Sequence, residues 1–141
     1  MIEVMSIREL KTQDYDACWA IVRSLKSQTP GLVQVTDLSP SRDLFFEYRR
    51  MANAGTWGRQ AFDKIYLPRF LREVKHNPSA TALLAHLYEQ DRLGKRIALV
   101  CFCSDESLCH RSIIAGILQG AGCDVRAKAD YSKYWPMYQA A

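Results

Sequence analysis

The chain has 141 residues, 48% of them hydrophobic, and a formal net charge of +4. That is enough for one domain, residues 1–141, with a real core, and no apolar run reaches the length of a membrane span. The opening Met1-Ile-Glu-Val-Met-Ser lacks the basic start and long apolar run of a signal peptide, and three of the five cysteines crowd into one short stretch, a poor disulfide framework. A reducing, cytoplasmic setting with free thiols is expected.

Taken in order, residues 2–7 alternate enough to predict a first strand. Cys18, Ile21, Val22 and Leu25 follow at i, i+3, i+4, i+7, the face of a helix, with Asp14 and Asp16 near its positive end. Gln28-Thr-Pro-Gly31 is a turn, and Leu32-Val-Gln-Val-Thr36 is a second strand running into Asp37. Ser41 caps a helix over 42–52 with Leu44, Phe45 and Tyr48 inward. From Trp57 to Lys75 the pattern is helical, with Phe62, Tyr66 and Phe70 every four residues, and Pro68 predicts a kink or two short helices. A helix follows over 80–91, ended by Gly94.

The run Ile97-Ala-Leu-Val-Cys-Phe-Cys103 is apolar on both faces, as in a central strand of a parallel sheet. A helix over 109–121 carries Ile113, Ile114, Ile117, Leu118 and Ala121 on one face, with Gly122 as its cap. Cys123–Arg126 makes a short last strand, and an aromatic tail of about residues 130–141 holds Tyr131, Tyr134, Trp135 and Tyr138. This order predicts an α/β fold: a Rossmann-like, mostly parallel sheet flanked by helices, with a helical insertion over 42–91 between strands.

The excess charge is local. Residues 42–75 hold eight basic and four acidic side chains, while the remainder balances. Such a segment suits phosphate or nucleic acid. Its plainer reading, preferred at this modest excess, is a set of solvated helix faces.

The chemistry concentrates at Cys109-His110-Arg111. A helix start offers unpaired N–H groups and a positive dipole end, so an anion, phosphate most plausibly, is expected there. Arg111 supplies a forked cation; Ser104, Ser107 and Ser112 supply hydroxyls, and Cys103 lies on the approach. Against this, Arg111 has Asp105 and Glu106 as nearby ion-pair partners. Cys109 at the helix start is expected to have a depressed thiol pKa and to be a nucleophile with His110 or Asp37 as acid–base partner. The opposing reading is a small buried hydrophobe.

The phosphatase pattern of Cys, five residues, Arg is not met, because Cys103 is followed there by Cys109, with Arg111 two places later. Cys103, Cys109 and His110, with His76 or His86 fourth, lack the second ligand pair usual in zinc sites, and Cys101 and Cys103 merely share a strand face. No metal is expected on that ground.

At Val100-Cys-Phe-Cys through Cys109-His-Arg-Ser-Ile-Ile-Ala the chain resembles the family called domain of unknown function 488. Leu38-Ser-Pro-Ser-Arg-Asp-Leu, Trp57, Phe62, Tyr66, Phe70 and Leu71 are similar to a pattern in one branch of it, and Asp37 falls where members have an Asp at a strand end. The resemblance spans about residues 32–126, and it departs at Ser39, where an Arg often stands. It implies a small α/β domain with a polar pocket near Cys109, His110 and Arg111.

These readings converge on a protein binding an anionic ligand, a phosphate, nucleotide or nucleic acid, at the Cys-His-Arg turn. A thiol- or acid/base-dependent enzyme on a phosphorylated or nucleotide substrate is the alternative. A non-catalytic interaction module, a homodimer through Tyr131–Tyr138, is the third.

Overall fold

The computed structural model describes residues 1–141. Its strands are β1 (Ile2–Ser6), β2 (Ala17–Ala20), β3 (Leu32–Gln34), β4 (Ile97–Cys101) and β5 (Val125–Arg126). They form one sheet in the order β3-β2-β4-β1-β5, every pair parallel. The chain is therefore α/β, with the sheet flanked by helices, as the order of its elements predicts.

The central place of β4 follows from its residues. All five are buried, and an unbroken Ile-Ala-Leu-Val-Cys run is stable only where both faces are covered. Strand β1 pairs with it from Ile2↔Ile97 to Ser6↔Cys101, and β2 from Ala17↔Ile97 to Ala20↔Val100. Cys101 thus ends the middle strand.

Residues 14–25 correct the sequence reading, for no helix forms there. Cys18 and Ala20 are buried while Ala17 and Trp19 are half-buried, the alternation of the strand β2. Eight residues of helix pattern are too few to offset nucleation without a partner, whereas the strand gains a ladder on both sides. The link from β1 to β2 holds two 3-10 turns, Ile7–Glu9 and Thr12–Asp14, rather than a helix.

The helical insertion comprises α1 (Arg42–Asn53), α2 (Arg59–Ala61), α3 (Leu67–Lys75) and α4 (Pro78–Arg92). Ser41 caps α1, its hydroxyl oxygen accepting from the Leu44 amide at 3.2 Å. Its own amide donates to Glu73 at 2.9 Å, which ties the start of α1 to α3. The break expected from Pro68 appears as a π-helical stretch, Phe62–Tyr66, with Pro68 in the first turn of α3, where its missing N–H costs nothing. Gly94 and Gly122, at φ +78° and +100°, turn the chain from α4 into β4 and from α5 (His110–Gly120) toward β5.

The aromatic tail packs inward. Its helix, α6 (Tyr134–Ala140), lies on α5, and Tyr131 and Tyr134 are buried. Gly116 faces the main-chain carbonyl of Tyr131, and Gly120 faces Cβ of Trp135, so close that a methyl group fits at neither. Gly116→Ala is expected to cost about 1–3 kcal/mol, because backbone cannot move aside as a side chain can. Urea unfolding checks this, and an unchanged midpoint would show that the tail does not seat on α5.

Candidate functional site

At its carboxyl end β4 delivers Cys101. The chain passes Phe102 and Cys103, makes a 3-10 turn over Glu106–Leu108, and enters α5 through Cys109. Asp105 holds that turn, its Oδ1 accepting from the Ser107 amide at 3.0 Å and hydroxyl at 2.7 Å. Alternation along the strand puts Cys101 and Cys103 on one side, and the turn brings Cys109 back to them. The three sulfurs lie within 4.8 Å of one another, Cys101 and Cys109 at 3.0 Å. All five cysteines are free thiols.

Arg111, on the first turn of α5, is fully buried at 0% exposure. Its Nη1 donates to Cys101 Sγ at 2.9 Å and to the Cys103 carbonyl at 2.8 Å, and its Nε lies 3.8 Å from Glu106 Oε1. Glu106 is itself 3% exposed, and its Oε2 accepts from the Lys128 amide at 2.9 Å and the Tyr131 hydroxyl at 2.8 Å. Of the two partners open to Arg111 in the sequence, Glu106 is the one it takes, and Asp105 serves Ser107 instead. A buried guanidinium persists only where charge and hydrogen bonds meet it. Here they come from inside the protein.

His110 is oriented by main chain. Its Nε2 lies 2.6 Å from the Ile21 carbonyl oxygen, which can only accept, so Nε2 carries the proton. Nδ1 then holds a lone pair, and it lies 3.6 Å from Cys109 Sγ. Burial lowers the pKa of His110, which favours this neutral ring.

The thiols divide sharply. Hydrogen bonds from the Cys103 and Cys109 thiols, joined by the charge of Arg111, hold Cys101 far below the ordinary thiol range. Sharing with Cys101 pushes Cys103 up to about 12. Burial, then the neighbouring sulfurs, pushes Cys109 up. The expected depression of Cys109 is therefore reversed: its seat at the helix start is outweighed by desolvation and by a charge already resting on Cys101. Of the three, only Cys103 is half-buried, the others being 1% and 2% exposed.

A cleft of about 350 Å³ adjoins this centre, lined by Ser104, Asp105, Glu106, Ser107, Lys128 and Tyr131. Ser104 and Ser107 line this opening. Ser112 does not, its buried hydroxyl donating to the Cys109 carbonyl at 2.8 Å. Asp37 is exposed on a separate 3-10 turn, Thr36–Leu38, where it accepts from Asn77 at 3.3 Å and makes no bond to Cys109, His110 or Arg111. His76 is exposed at the end of α3, and His86 stacks on Trp19. In the basic segment Arg50 pairs with Glu47 and Arg59 with Asp63, while Arg42 and Arg49 lie over Phe46 and Phe45.

The family model DUF488-N3a, described as the active DUF488-N3 subclade, matches residues 3–122. The chain belongs to the DUF488 family. The matched stretch of this DUF488 chain runs from β1 to just past α5 and holds the whole thiol centre, leaving out the tail that supports Glu106. No curated protein and no solved structure matches the chain. No helix is long and apolar enough to cross a membrane.

Three groups at the DUF488 centre escape a reading of motifs. The Ile21 carbonyl is main chain and leaves no residue signal. Tyr66 reads as core from its spacing, yet after burial it is the Cys109 and Cys103 sulfurs that push its hydroxyl pKa up, which places it beside the cluster. Cys101 reads as one more apolar strand residue, although its alternation with Cys103 is visible in the sequence.

Proposed function

We propose that this chain is a thiol-dependent enzyme working at the Cys-His-Arg centre. The observation that carries the reading is the relay of Cys109 Sγ, His110 and the Ile21 carbonyl. A thiol faces the free nitrogen of a histidine whose other nitrogen is fixed by a third group. Nδ1 takes the thiol proton as sulfur adds to the acyl carbon of an ester or thioester and the C=O π pair moves to oxygen; collapse of that adduct breaks the bond to the leaving group, which takes the proton back from Nδ1. Arg111 steadies negative charge on the sulfurs, and Cys103 is the member nearest solvent. The cleft at Ser104, Ser107 and Lys128 meets the centre through Glu106, the ion-pair partner of Arg111. The subclade's description as active agrees with a site that does chemistry.

Binding of an anionic ligand, phosphate or nucleotide, is the second reading. Lys128 and the Ser104 hydroxyl at the cleft favour it, while Asp105 and Glu106 in the same wall weigh against it. Arg111 is not its anchor, since the guanidinium is fully buried and does not line the cleft, although only its Nη1 is hydrogen-bonded.

The test is turnover against a panel of thioesters, activated esters, nucleotides and phosphorylated small molecules. The activity found is expected to vanish in Cys109→Ala, to fall about 10²–10⁴-fold in His110→Gln, and to persist in Cys123→Ser. Turnover that survives in Cys109→Ala would overturn the thiol mechanism at Cys109.

A further inference from the structure

We infer that Cys101, Cys103, Cys109 and Nδ1 of His110 form a tetrahedral site for a soft divalent metal ion, zinc by the chemistry of its donors. This rests on the thiol centre being the working site and changes how its sulfurs are activated: in the loaded protein Nδ1 is a ligand and no longer the base, and Cys109 has already lost its proton to solvent, since coordination to a metal is one way a thiol becomes a nucleophile.

Geometry is the first support. Zinc–sulfur and zinc–nitrogen bonds of about 2.3 and 2.0 Å give a tetrahedron whose sulfur–sulfur edges are about 3.8 Å and sulfur–nitrogen edges about 3.5 Å. The three sulfurs, all within 4.8 Å of one another, span that size, while Nδ1 is 3.6 Å from Cys109 Sγ but lies outside the mutually close set. Binding has to widen the 3.0 Å approach of Cys101 and Cys109 and bring the His110 ring toward the other two sulfurs.

The second support is independent of the sulfurs. A metal-bound histidine typically donates its other N–H to a carbonyl or carboxylate, which fixes the tautomer and aims the lone pair. His110 does this toward Ile21 at 2.6 Å.

Charge is the third. Binding sends the thiol protons to solvent, so three thiolates and one divalent ion leave a single negative charge. The buried guanidinium of Arg111, at 2.9 Å from Cys101 Sγ, offsets it. Sulfur and imidazole donors select zinc over magnesium or calcium. The fourth ligands that the sequence offers beside Cys103, Cys109 and His110 do not serve, His76 being exposed at the end of α3 and His86 stacked on Trp19; the end of β4 supplies Cys101 instead.

The experiment is cobalt substitution in the full-length chain, reduced and stripped with a chelator. Cobalt is expected to bind one per chain, with intense thiolate-to-cobalt charge transfer and the visible absorption of a tetrahedral ion, and zinc is expected to erase both. Cys103→Ser should lose one thiolate's share of the charge transfer, and Cys123→Ser should lose none. No binding, a weak spectrum typical of oxygen ligands, or a Cys101–Cys109 disulfide persisting under reductant would overturn the inference. A tetrahedral spectrum with turnover indifferent to Cys109→Ala would leave the metal site standing and remove the Cys109 thiol mechanism instead.

Discussion

Arg111→Met is expected to remove about 3–5 kcal/mol of stability, the usual result of deleting one partner of a buried ion pair. The guanidinium is 0% exposed and is the only cation within reach of Glu106, itself 3% exposed. Its loss also strips the hydrogen bond from Cys101 Sγ and leaves the Cys103 carbonyl short of a donor. Adding Glu106→Gln should restore part of the loss, because an amide needs no countercharge and still meets the Tyr131 hydroxyl. Urea unfolding of the two single variants and the double variant measures this as a cycle. A loss below about 1 kcal/mol in the single variant would mean that Arg111 faces water, as a surface ion pair does.

Phe70→Ala is the second large effect, about 3–5 kcal/mol. Phe70 is fully buried and ends an aromatic stack: Phe62 on Tyr66 at 5.6 Å, Tyr66 on Phe70 at 6.0 Å, Phe70 edge-on to His110 at 5.7 Å. The spacing of four that marks these rings as core also builds the wall against which His110 is held. Truncation therefore opens a cavity and frees the imidazole. Thermal unfolding should show a drop on the order of 10 °C. Phe70→Leu, which keeps most of the volume, should lose much less. Equal losses in the two variants would show that the ring's contact with His110, not its volume, sets the cost.

Much of the fold is legible in residue patterns, because the strongest patterns mark the most buried elements. The run Ile97–Cys101 has no polar face, so only a central strand suits it. Ser41 and Gly122 mark helix ends by their own chemistry. Residues 17–22 mislead because a helix and a strand share that apolar spacing over so few positions, and the choice is made by the neighbours β3 and β4. The tail misleads differently. Its aromatics suggest a partner surface, yet Gly116 and Gly120 open a seat for them on α5.

At the site, the motif gives the place and not the roles. Arg111 adjoins a helix start, which points to an anion from outside, but burial turns it toward Cys101 and Glu106. Asp37 ends a strand region as the pattern suggests, yet its partner is Asn77. Which sulfur carries charge depends on three thiols meeting in space, and residue order does not encode that meeting directly.

The central claim, that the thiol centre is the reactive site, is tested most directly by residue-resolved alkylation. Reduced, metal-free protein is treated with a small haloacetamide, and each cysteine peptide is followed by mass spectrometry in wild type and His110→Gln. The account predicts that a cysteine of the centre, Cys101, Cys103 or Cys109, reacts well ahead of Cys18 and Cys123, and that His110→Gln removes about 10²-fold of that lead. Equal rates at all five cysteines, unchanged in His110→Gln, would contradict it.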